Sequence, residues 1–237
     1  MQSLRSKIAS ADWSSAATEM HDKGFAVVPG ILTGEECERL KADYHNPAGY
    51  RKTVIMERHH YGKGEYRYFD YPLPALVQTI RTDIYPYLMP VANDWMKALN
   101  IDRRFPATHE ALLQQCRDHG QSQATALILK YGRGGYNALH RDLYGDIYFP
   151  LQVALVLDEP GKDFTGGEFV LVRETPEGQS QAIVLNPGKG DMLIFTTSFY
   201  PLKSEAGYAR AGMKHGVSEV CSGERHTLGI IFHDALS

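Results

Sequence analysis

Cysteine is scarce in this chain, and the few cysteines present form no recognisable pattern. Cys37, Cys116 and Cys221 are scattered along 237 residues, and no C-X-X-C pair occurs. An odd, scattered set fits neither a disulfide framework nor a thiolate zinc site. Free thiols suit a reducing compartment, so we expect a cytoplasmic protein.

Long apolar runs and a secretory signal are also missing. No apolar run approaches the ~20 residues that a membrane-spanning helix needs. The stretch from Met1 to Lys7 is followed by polar and small residues, whereas a signal peptide continues into an apolar core. The sequence therefore predicts no membrane partner.

A surplus of positive charge is absent as well. The formal net charge is −3 at pH 7, which argues against a broad basic surface that grips long duplex DNA, because phosphate neutralisation dominates such binding. A local basic groove stays compatible with this charge. Hydrophobic residues make up 43% and charged residues 22% of the chain, as in ordinary globular proteins. Because no repeat, low-complexity tract or linker interrupts the sequence, we expect one domain over residues 1–237.

Residues 1–120 are predicted to be mainly helical. Thr33 and Glu36 have the spacing of a capping box for a helix that runs to about Asp43. A second helical pattern covers residues 74–99, where Pro86 and Pro90 are expected to kink or break the helix. A third helix is expected over residues 108–119, ending at Gly120.

Residues 121–237 are predicted to form strands. Short apolar runs separated by turn residues recur at 124–131, 151–157, 167–173, 181–185, 191–196, 212–220 and 226–233. Strands at this spacing are typical of a sandwich or barrel. We therefore expect a mainly β fold with flanking helices and a jelly-roll core, the double-stranded β-helix, which brings early and late strands together at one mouth.

A His-X-Asp triplet is the most informative motif in the chain. Residues i and i+2 of a strand point to the same face, so His140 and Asp142 can present an imidazole and a carboxylate to one point. These are two of the three ligands of the facial triad that holds non-haem Fe(II). His215 is the best candidate for the third ligand.

Arg225 and Tyr131 predict a receptor for an acid near the metal. A guanidinium is a planar fork of donors that matches a carboxylate, and a phenol at Tyr131, which ends an alternating apolar run, could share the same carboxylate. The alternative is that Arg225 forms a structural ion pair with Asp191 or Glu219. Catalytic zinc could also use three protein ligands, but a buried arginine has no role in a simple zinc hydrolase, so iron is preferred. His226 follows Arg225 directly in the predicted strand, so its side chain should point to the opposite face of the sheet.

In these residues the chain resembles the iron(II)/2-oxoglutarate-dependent dioxygenases, and within them the prolyl-4-hydroxylase-like branch. The resemblance runs from about Gly24 to Phe232 and is carried by ordered landmarks. They are Tyr131, His140, Asp142, the Gly166-Gly167-Glu168-Phe169 turn, Gly188–Asp191, His215 and Arg225. Within this superfamily the chain is most similar to a bacterial family of oxygenases predicted to demethylate damaged nucleic-acid bases.

The resemblance implies a cofactor set and a reaction. Fe(II) would bind to His140, Asp142 and His215, and 2-oxoglutarate would be anchored by Arg225 with Tyr131. Dioxygen would then drive decarboxylation of 2-oxoglutarate to succinate, coupled to hydroxylation of a substrate C–H bond. Hydroxylation of an N-methyl group would release formaldehyde. Two positions depart from the AlkB-type demethylases, which have a second arginine where this chain has Ile231 and an asparagine where it has Leu129.

Residues 51–71 are the other unusual stretch. The segment mixes basic residues with aromatics and contains the turn-like sequence Tyr61-Gly-Lys-Gly64. One interpretation is a hairpin whose aromatics pack against the barrel. The other is a substrate lid in which aromatic rings stack on bases and cations meet phosphates. The candidate substrate residues of this lid are Arg58, Tyr61, Tyr66, Arg67 and Tyr68.

Three functions are therefore open at this point. The first is oxidation of a nucleobase, by hydroxylation or demethylation, in single-stranded nucleic acid or in a nucleotide. The second is hydroxylation of a prolyl or other side chain on a protein, or of a small molecule. The third is a catalytically inactive barrel that serves as a binding module, against which the intact ligand set and Arg225 argue.

Overall fold

The computed structural model describes residues 3–142, 145–174, 178–205 and 207–236. Its α-helices are α1 (Leu4–Ser10), α2 (Trp13–Lys23), α3 (Gly34–Asp43), α4 (Ala75–Ala98) and α5 (His109–Asp118). The capping box at the start of α3 is confirmed. The Glu36 amide donates to Thr33 Oγ1 over 3.1 Å, and the Thr33 amide donates to Glu36 Oε2 over 2.8 Å. No described helix is both apolar enough and long enough to cross a bilayer.

Helix α4 is continuous, so of the two outcomes expected at Pro86 and Pro90, a kink or a break, the break does not occur. Pro86 and Pro90 both lie inside the helix. Each proline removes a backbone donor, but one face of α4 is deeply buried, with Ile84, Leu88 and Trp95 fully inaccessible to solvent. Burial of these large apolar side chains stabilises the helix by more than the missing hydrogen bonds cost.

The strands alternate with turns through most of the remaining chain. They are β1 (Phe25–Val28), β2 (Tyr50–Ile55), β3 (Gly62–Lys63), β4 (Glu65–Phe69), β5 (Leu127–Tyr131), β6 (Tyr136–His140), β7 (Leu151–Val156), β8 (Phe164–Gly166), β9 (Phe169–Glu174), β10 (Ser180–Leu185), β11 (Met192–Thr196), β12 (Phe199–Ser204), β13 (Gly207–Val217), β14 (Val220–Gly223) and β15 (Arg225–Ile231).

Two antiparallel sheets enclose the interior. The seven-stranded sheet has the order β1-β11-β7-β15-β5-β4-β2, and the six-stranded sheet has the order β10-β9-β13-β6-β3 with β12 paired to β13. The sheets face each other through aromatic contacts such as Phe169 on Phe195, whose ring centroids are 4.9 Å apart. This arrangement confirms the predicted mainly β fold.

The N-terminal half contributes more to the sheets than the sequence suggested. Every described α-helix lies there, but so do β1, at one edge of the seven-stranded sheet, and β2 and β4, at the other. The segment 51–71 is thus part of the barrel wall. It also reaches the opposite sheet, because Gly62 and Lys63 pair with Asn137 and Tyr136 of β6.

A buried ion pair ties α4 to the end of the chain. Arg81 is inaccessible to solvent and donates to Asp234 Oδ1 over 2.7 Å, to the Ile231 carbonyl over 2.9 Å and to the Tyr71 hydroxyl over 2.7 Å. Because Ile231 ends β15, the network fixes the strand that begins with Arg225.

Candidate active site

The sheet topology brings the His-X-Asp triplet and the distant histidine together. His140 ends β6 and His215 lies in β13, and these residues are direct cross-strand partners. Asp142 follows two positions after His140, where its amide donates to the Thr197 carbonyl over 3.3 Å. One ligand atom from each of His140, Asp142 and His215 lies within 4.8 Å of the others. A single cation can therefore contact all three side chains.

The orientations of the side chains suit a metal. Nε2 of His140 lies 3.6 Å from Asp142 Oδ1, and Nε2 of His215 lies 3.2 Å from Asp142 Oδ2. Nδ1 of His140 lies 2.7 Å from the Ala138 carbonyl. Because a carbonyl only accepts, the proton sits on Nδ1 and the lone pair is left on Nε2, which faces the carboxylate. Such a backbone contact commonly fixes the tautomer of a metal-binding histidine.

The electrostatics favour the protonation states that metal ligands need. Burial lowers the pKa of His140, and the nearby His215 lowers it further. Burial alone would raise the pKa of Asp142, but His215, His140 and Gln152 hold that pKa well below its usual range. The site is therefore set for a carboxylate beside a neutral His140 imidazole, as divalent metal binding requires.

A buried cation lies at the inner end of the same cavity. Arg225 and Tyr131 are direct partners on the adjacent strands β15 and β5. Arg225 is 3% exposed and Tyr131 is fully buried. Nη1 of Arg225 donates to Thr227 Oγ1 over 2.6 Å, while its Nε has no hydrogen-bond partner among the described residues. No described carboxylate lies within ion-pair distance of Arg225.

Asp191, one of the two structural partners considered for Arg225, is used elsewhere. Its carboxylate accepts hydrogen bonds from the amides of Gly30 and Gly188. Burial lowers the pKa of Arg225, and Tyr131, Asp158 and Glu168 oppose this shift from beyond ion-pair distance. Burial of an arginine is costly unless an anion accompanies it. The arrangement therefore fits an acidic ligand.

Tyr131 and Thr227 add polar groups around the guanidinium. Burial raises the pKa of Tyr131 to about 12, although Arg225 and the Asn137 side chain act to lower it. The Tyr131 hydroxyl makes no well-aligned hydrogen bond to any described residue. Farther along β15, Gly229 leaves room for the Leu127 side chain, because a Cβ there would lie 2.9 Å from Leu127 Cδ2. These features match a small dicarboxylate held between Arg225 and the metal ligands.

One cavity of about 580 Å³ contains both parts of this site. Its lining includes the three candidate ligands together with Tyr131, Arg225 and Thr227. Volumes of this order are typical of sites for small ligands. The cavity is large enough for a small acid at the inner end and a second molecule at the mouth.

The sequence places the chain in a family. A sequence model of a family described as oxygenases catalysing oxidative methylation of damaged DNA matches residues 64–235. The chain belongs to this family. It is an oxidoreductase. Uncharacterized proteins of two Mycobacterium tuberculosis strains are 40% identical to this oxygenase over 167 residues, covering 70% of this chain and 72% of theirs.

Solved structures share the fold at low sequence identity. A prolyl-4-hydroxylase from Pseudomonas putida aligns with a TM-score of 0.52 and 14% identity, covering 92% of this chain and 96% of that one. A 2OG-Fe(II) oxygenase family oxidoreductase from Burkholderia pseudomallei aligns with a TM-score of 0.53 and 17% identity over 95% and 94%. The α-ketoglutarate-dependent epimerase SnoN of nogalamycin biosynthesis gives 0.54 and 11% over 92% and 81%. These likenesses confirm the predicted jelly-roll core.

The predicted substrate residues of the oxygenase divide into two groups. Tyr61, Tyr66 and Tyr68 line the cavity. Arg67 does not, because neighbouring residues of a strand point to opposite faces. Its Nη1 donates to the Tyr44 carbonyl over 2.8 Å.

The guanidinium of Arg67 also lies 4.4 Å from the centre of the Tyr44 ring and 3.3 Å from Glu65 Oε1. Arg58 is exposed in the 3-10 turn Met56–His59 and lies outside the cavity lining. Arg58 and Arg67 thus lie outside the cavity, whereas the three tyrosines line it.

Several cavity residues were not found from the sequence. Thr227 could have been, since it lies two positions after Arg225 on the same face of a strand. Lys52 stands opposite Tyr68 in the register of β2 and β4, and nothing local marks it. Gln152, beside Asp142, belongs to a uniformly buried strand that gives no signal of function. His226 turns away from the cavity as expected, and its Nδ1 lies 2.8 Å from Asp158.

Proposed function

We propose that this oxygenase uses Fe(II), 2-oxoglutarate and dioxygen to oxidise a nucleobase in single-stranded nucleic acid or in a nucleotide. The observation that carries the proposal is the buried Arg225 guanidinium. It lies without a described carboxylate partner at the inner end of a cavity that also contains His140, Asp142 and His215. A metal triad alone would also suit hydrolysis, whereas a buried arginine facing the same cavity suits a co-substrate acid.

Each residue has a separate task in this proposal. His140, Asp142 and His215 hold Fe(II), which when bound activates dioxygen for the oxidative decarboxylation of 2-oxoglutarate coupled to hydroxylation of the substrate. Arg225 binds the distal carboxylate of 2-oxoglutarate, and Tyr131 and Thr227 supply further polar contacts to it. Phe169 and Phe195 pack around His215, with ring centroids 6.0 and 4.8 Å from its ring, and keep water from that ligand.

The mouth of the cavity supports a nucleobase as substrate. Tyr61, Tyr66 and Tyr68 line the cavity, and Tyr61 is half exposed. Aromatic side chains bind unstacked bases by stacking. A cavity of about 580 Å³ has no room for a duplex, so the base must be single-stranded, flipped out or part of a free nucleotide. The family description, which concerns damaged DNA, agrees with this substrate class.

Product analysis tests the proposal directly. The protein is loaded anaerobically with Fe(II), mixed with 2-oxoglutarate and exposed to air with methylated oligonucleotides, nucleotides or peptides. Succinate, formaldehyde and substrate mass are then measured. We expect succinate in every case and formaldehyde with a methylated base. Oxidation of peptides alone would mean that the substrate is a protein side chain and not a nucleobase. Absence of 2-oxoglutarate turnover with every compound would contradict the cofactor assignment.

A further inference from the structure

The cavity has an apolar, aromatic wall at the end of β15 that lies away from Arg225. Val54, Tyr68, Leu127 and Ile231 form a compact buried cluster on β2, β4, β5 and β15, and Tyr66 packs against it. We call these five residues the outer floor. A flat apolar surface on a sheet suits one face of a planar ring. The outer floor is separate from the region around Arg225, because Ile231 and Arg225 lie at opposite ends of β15.

Tyr66 lines the same cavity as the three candidate metal ligands. In the seven-stranded sheet Tyr66 lies between its direct cross-strand partners, Val54 of β2 and Leu129 of β5. His59 and Tyr61 also line the cavity, and their rings stack with centroids 5.4 Å apart. A planar ring placed on the outer floor would share the cavity with these aromatic rings and with the three candidate ligands.

The charge of this part of the cavity is one-sided. Among the described lining residues Asp142 is the only carboxylate, and it is taken up as a metal ligand. Arg141 is paired with Glu174 over 2.7 Å. Lys52 stands opposite Tyr68 and has no ion-pair partner among the described residues. The cavity around the outer floor thus contains Lys52, a cation without a described ion-pair partner, and no described carboxylate other than Asp142.

We propose that the outer floor accepts a neutral N-alkylated base and that Lys52 binds the phosphate attached to it. This inference rests on the proposed function and specifies its substrate class. A base with a positively charged ring would lose its hydration without gaining a carboxylate partner. Contact between the charged ring and tyrosine rings offsets only part of that cost. A neutral ring needs no such partner, and the ammonium of Lys52 meets the negative charge of the phosphate.

Two isomeric nucleotides separate ring charge from ring size. N6-methyladenosine monophosphate has a neutral ring, whereas 1-methyladenosine monophosphate carries a positive ring charge at neutral pH. Binding of each is measured anaerobically by calorimetry to the Fe(II)-loaded protein with 2-oxoglutarate. We expect the neutral isomer to bind at least roughly tenfold more tightly. Equal binding, preference for the cationic isomer or failure to bind either one would overturn the inference.

Lys52→Gln tests the phosphate contact. The ratio of the affinity for N6-methyladenosine monophosphate to that for its nucleoside measures how much the phosphate contributes to binding. Loss of a charge-assisted contact should lower this ratio by roughly tenfold, and Lys162→Gln, an exposed lysine in a distant turn, should leave it unchanged. An unchanged ratio in Lys52→Gln would overturn the role of Lys52. If 2-oxoglutarate turnover persists while nucleotide selection fails, only this inference falls; if turnover is absent, the proposed function falls as well.

Discussion

Arg225 and Tyr131 occupy directly opposed positions on neighbouring antiparallel strands, and both are buried. Cross-strand partners are held by the sheet itself, so their separation depends little on flexible loops. The guanidinium carbon lies 5.8 Å from the centre of the Tyr131 ring. The two side chains therefore form a rigid polar part of the cavity wall, and the three candidate metal ligands line the same cavity.

Asp142→Ala should abolish metal binding and 2-oxoglutarate turnover together. The carboxylate contacts the Nε2 atoms of both candidate histidines, so its removal leaves two imidazoles and no anionic ligand. Metal content by mass spectrometry and succinate production check the result. Asp102→Ala, at an exposed carboxylate, is the matched control and should keep both properties. Full turnover by Asp142→Ala would rule out the metal assignment.

Arg225→Ala should weaken 2-oxoglutarate binding without changing iron stoichiometry. Truncation of one partner of a buried charge-assisted pair costs ~2–4 kcal/mol, so the apparent constant for 2-oxoglutarate should rise roughly 30-fold or more. Thr227→Ala removes only one hydroxyl contact and should have a smaller effect. Titration calorimetry on the Fe(II)-loaded protein measures the 2-oxoglutarate affinity of each variant. An unaltered constant in Arg225→Ala would make the arginine a structural residue.

The sequence could predict this site because its strongest signals are local. His140 and Asp142 are related by the alternation of a strand, and the apolar runs around them predict the strands. The pairing of His140 with His215 depends on topology, for which the sequence offers only an ordered series of landmarks. Lys52 becomes a cavity residue through the pairing of β2 with β4 and of β4 with β5, and no local pattern encodes those pairings.

The segment 51–71 shows the limit of composition as a guide. Its mixture of cations and aromatics left two interpretations open, a hairpin packed against the barrel and a lid whose cations and aromatics both face nucleic acid. A strand separates such residues onto two faces, so Tyr66 and Tyr68 line the cavity while Arg67 packs on Tyr44. The strand period predicts this separation under the hairpin interpretation, whereas the composition alone does not.

Arg81→Met should strongly destabilise the fold. The substitution leaves Asp234, 2% exposed, as a buried carboxylate without its guanidinium partner. Breaking a buried pair in this way costs roughly 3–5 kcal/mol. The free energy of unfolding in urea measures the loss. Arg5→Met is the matched control, because Arg5 pairs with Asp83 at the surface and such pairs contribute at most about 1 kcal/mol. Equal effects of both substitutions would contradict the prediction.

Asp158 should make stability depend on pH in the acid range. Burial would raise the pKa of Asp158, but His226 and Lys41 hold it below the ordinary value of 3.8. A depressed pKa contributes stability that is present above 3.8 and is lost as the pH falls toward the folded value. Urea unfolding of wild type and Asp158→Asn should therefore differ most at about pH 7 and converge toward about pH 3. A difference that grows on acidification would have the wrong sign.

Substitutions in the segment 51–71 should separate stacking from phosphate contact. Tyr66→Ala should cost ~1–3 kcal/mol in binding of a short methylated single strand, whereas Tyr66→Phe, which keeps the ring, should bind nearly normally. Lys52→Gln should reduce the slope of log affinity against log salt by about one, as expected for one lost phosphate contact. Arg67→Ala should leave this slope unchanged, because its guanidinium lies on Tyr44 and Glu65. Affinities measured at several salt concentrations test these expectations. An equal loss of slope in Arg67→Ala and Lys52→Gln would mean that phosphates are bound on both faces of the strand. The assignment of Lys52 as the specific phosphate contact would then be wrong.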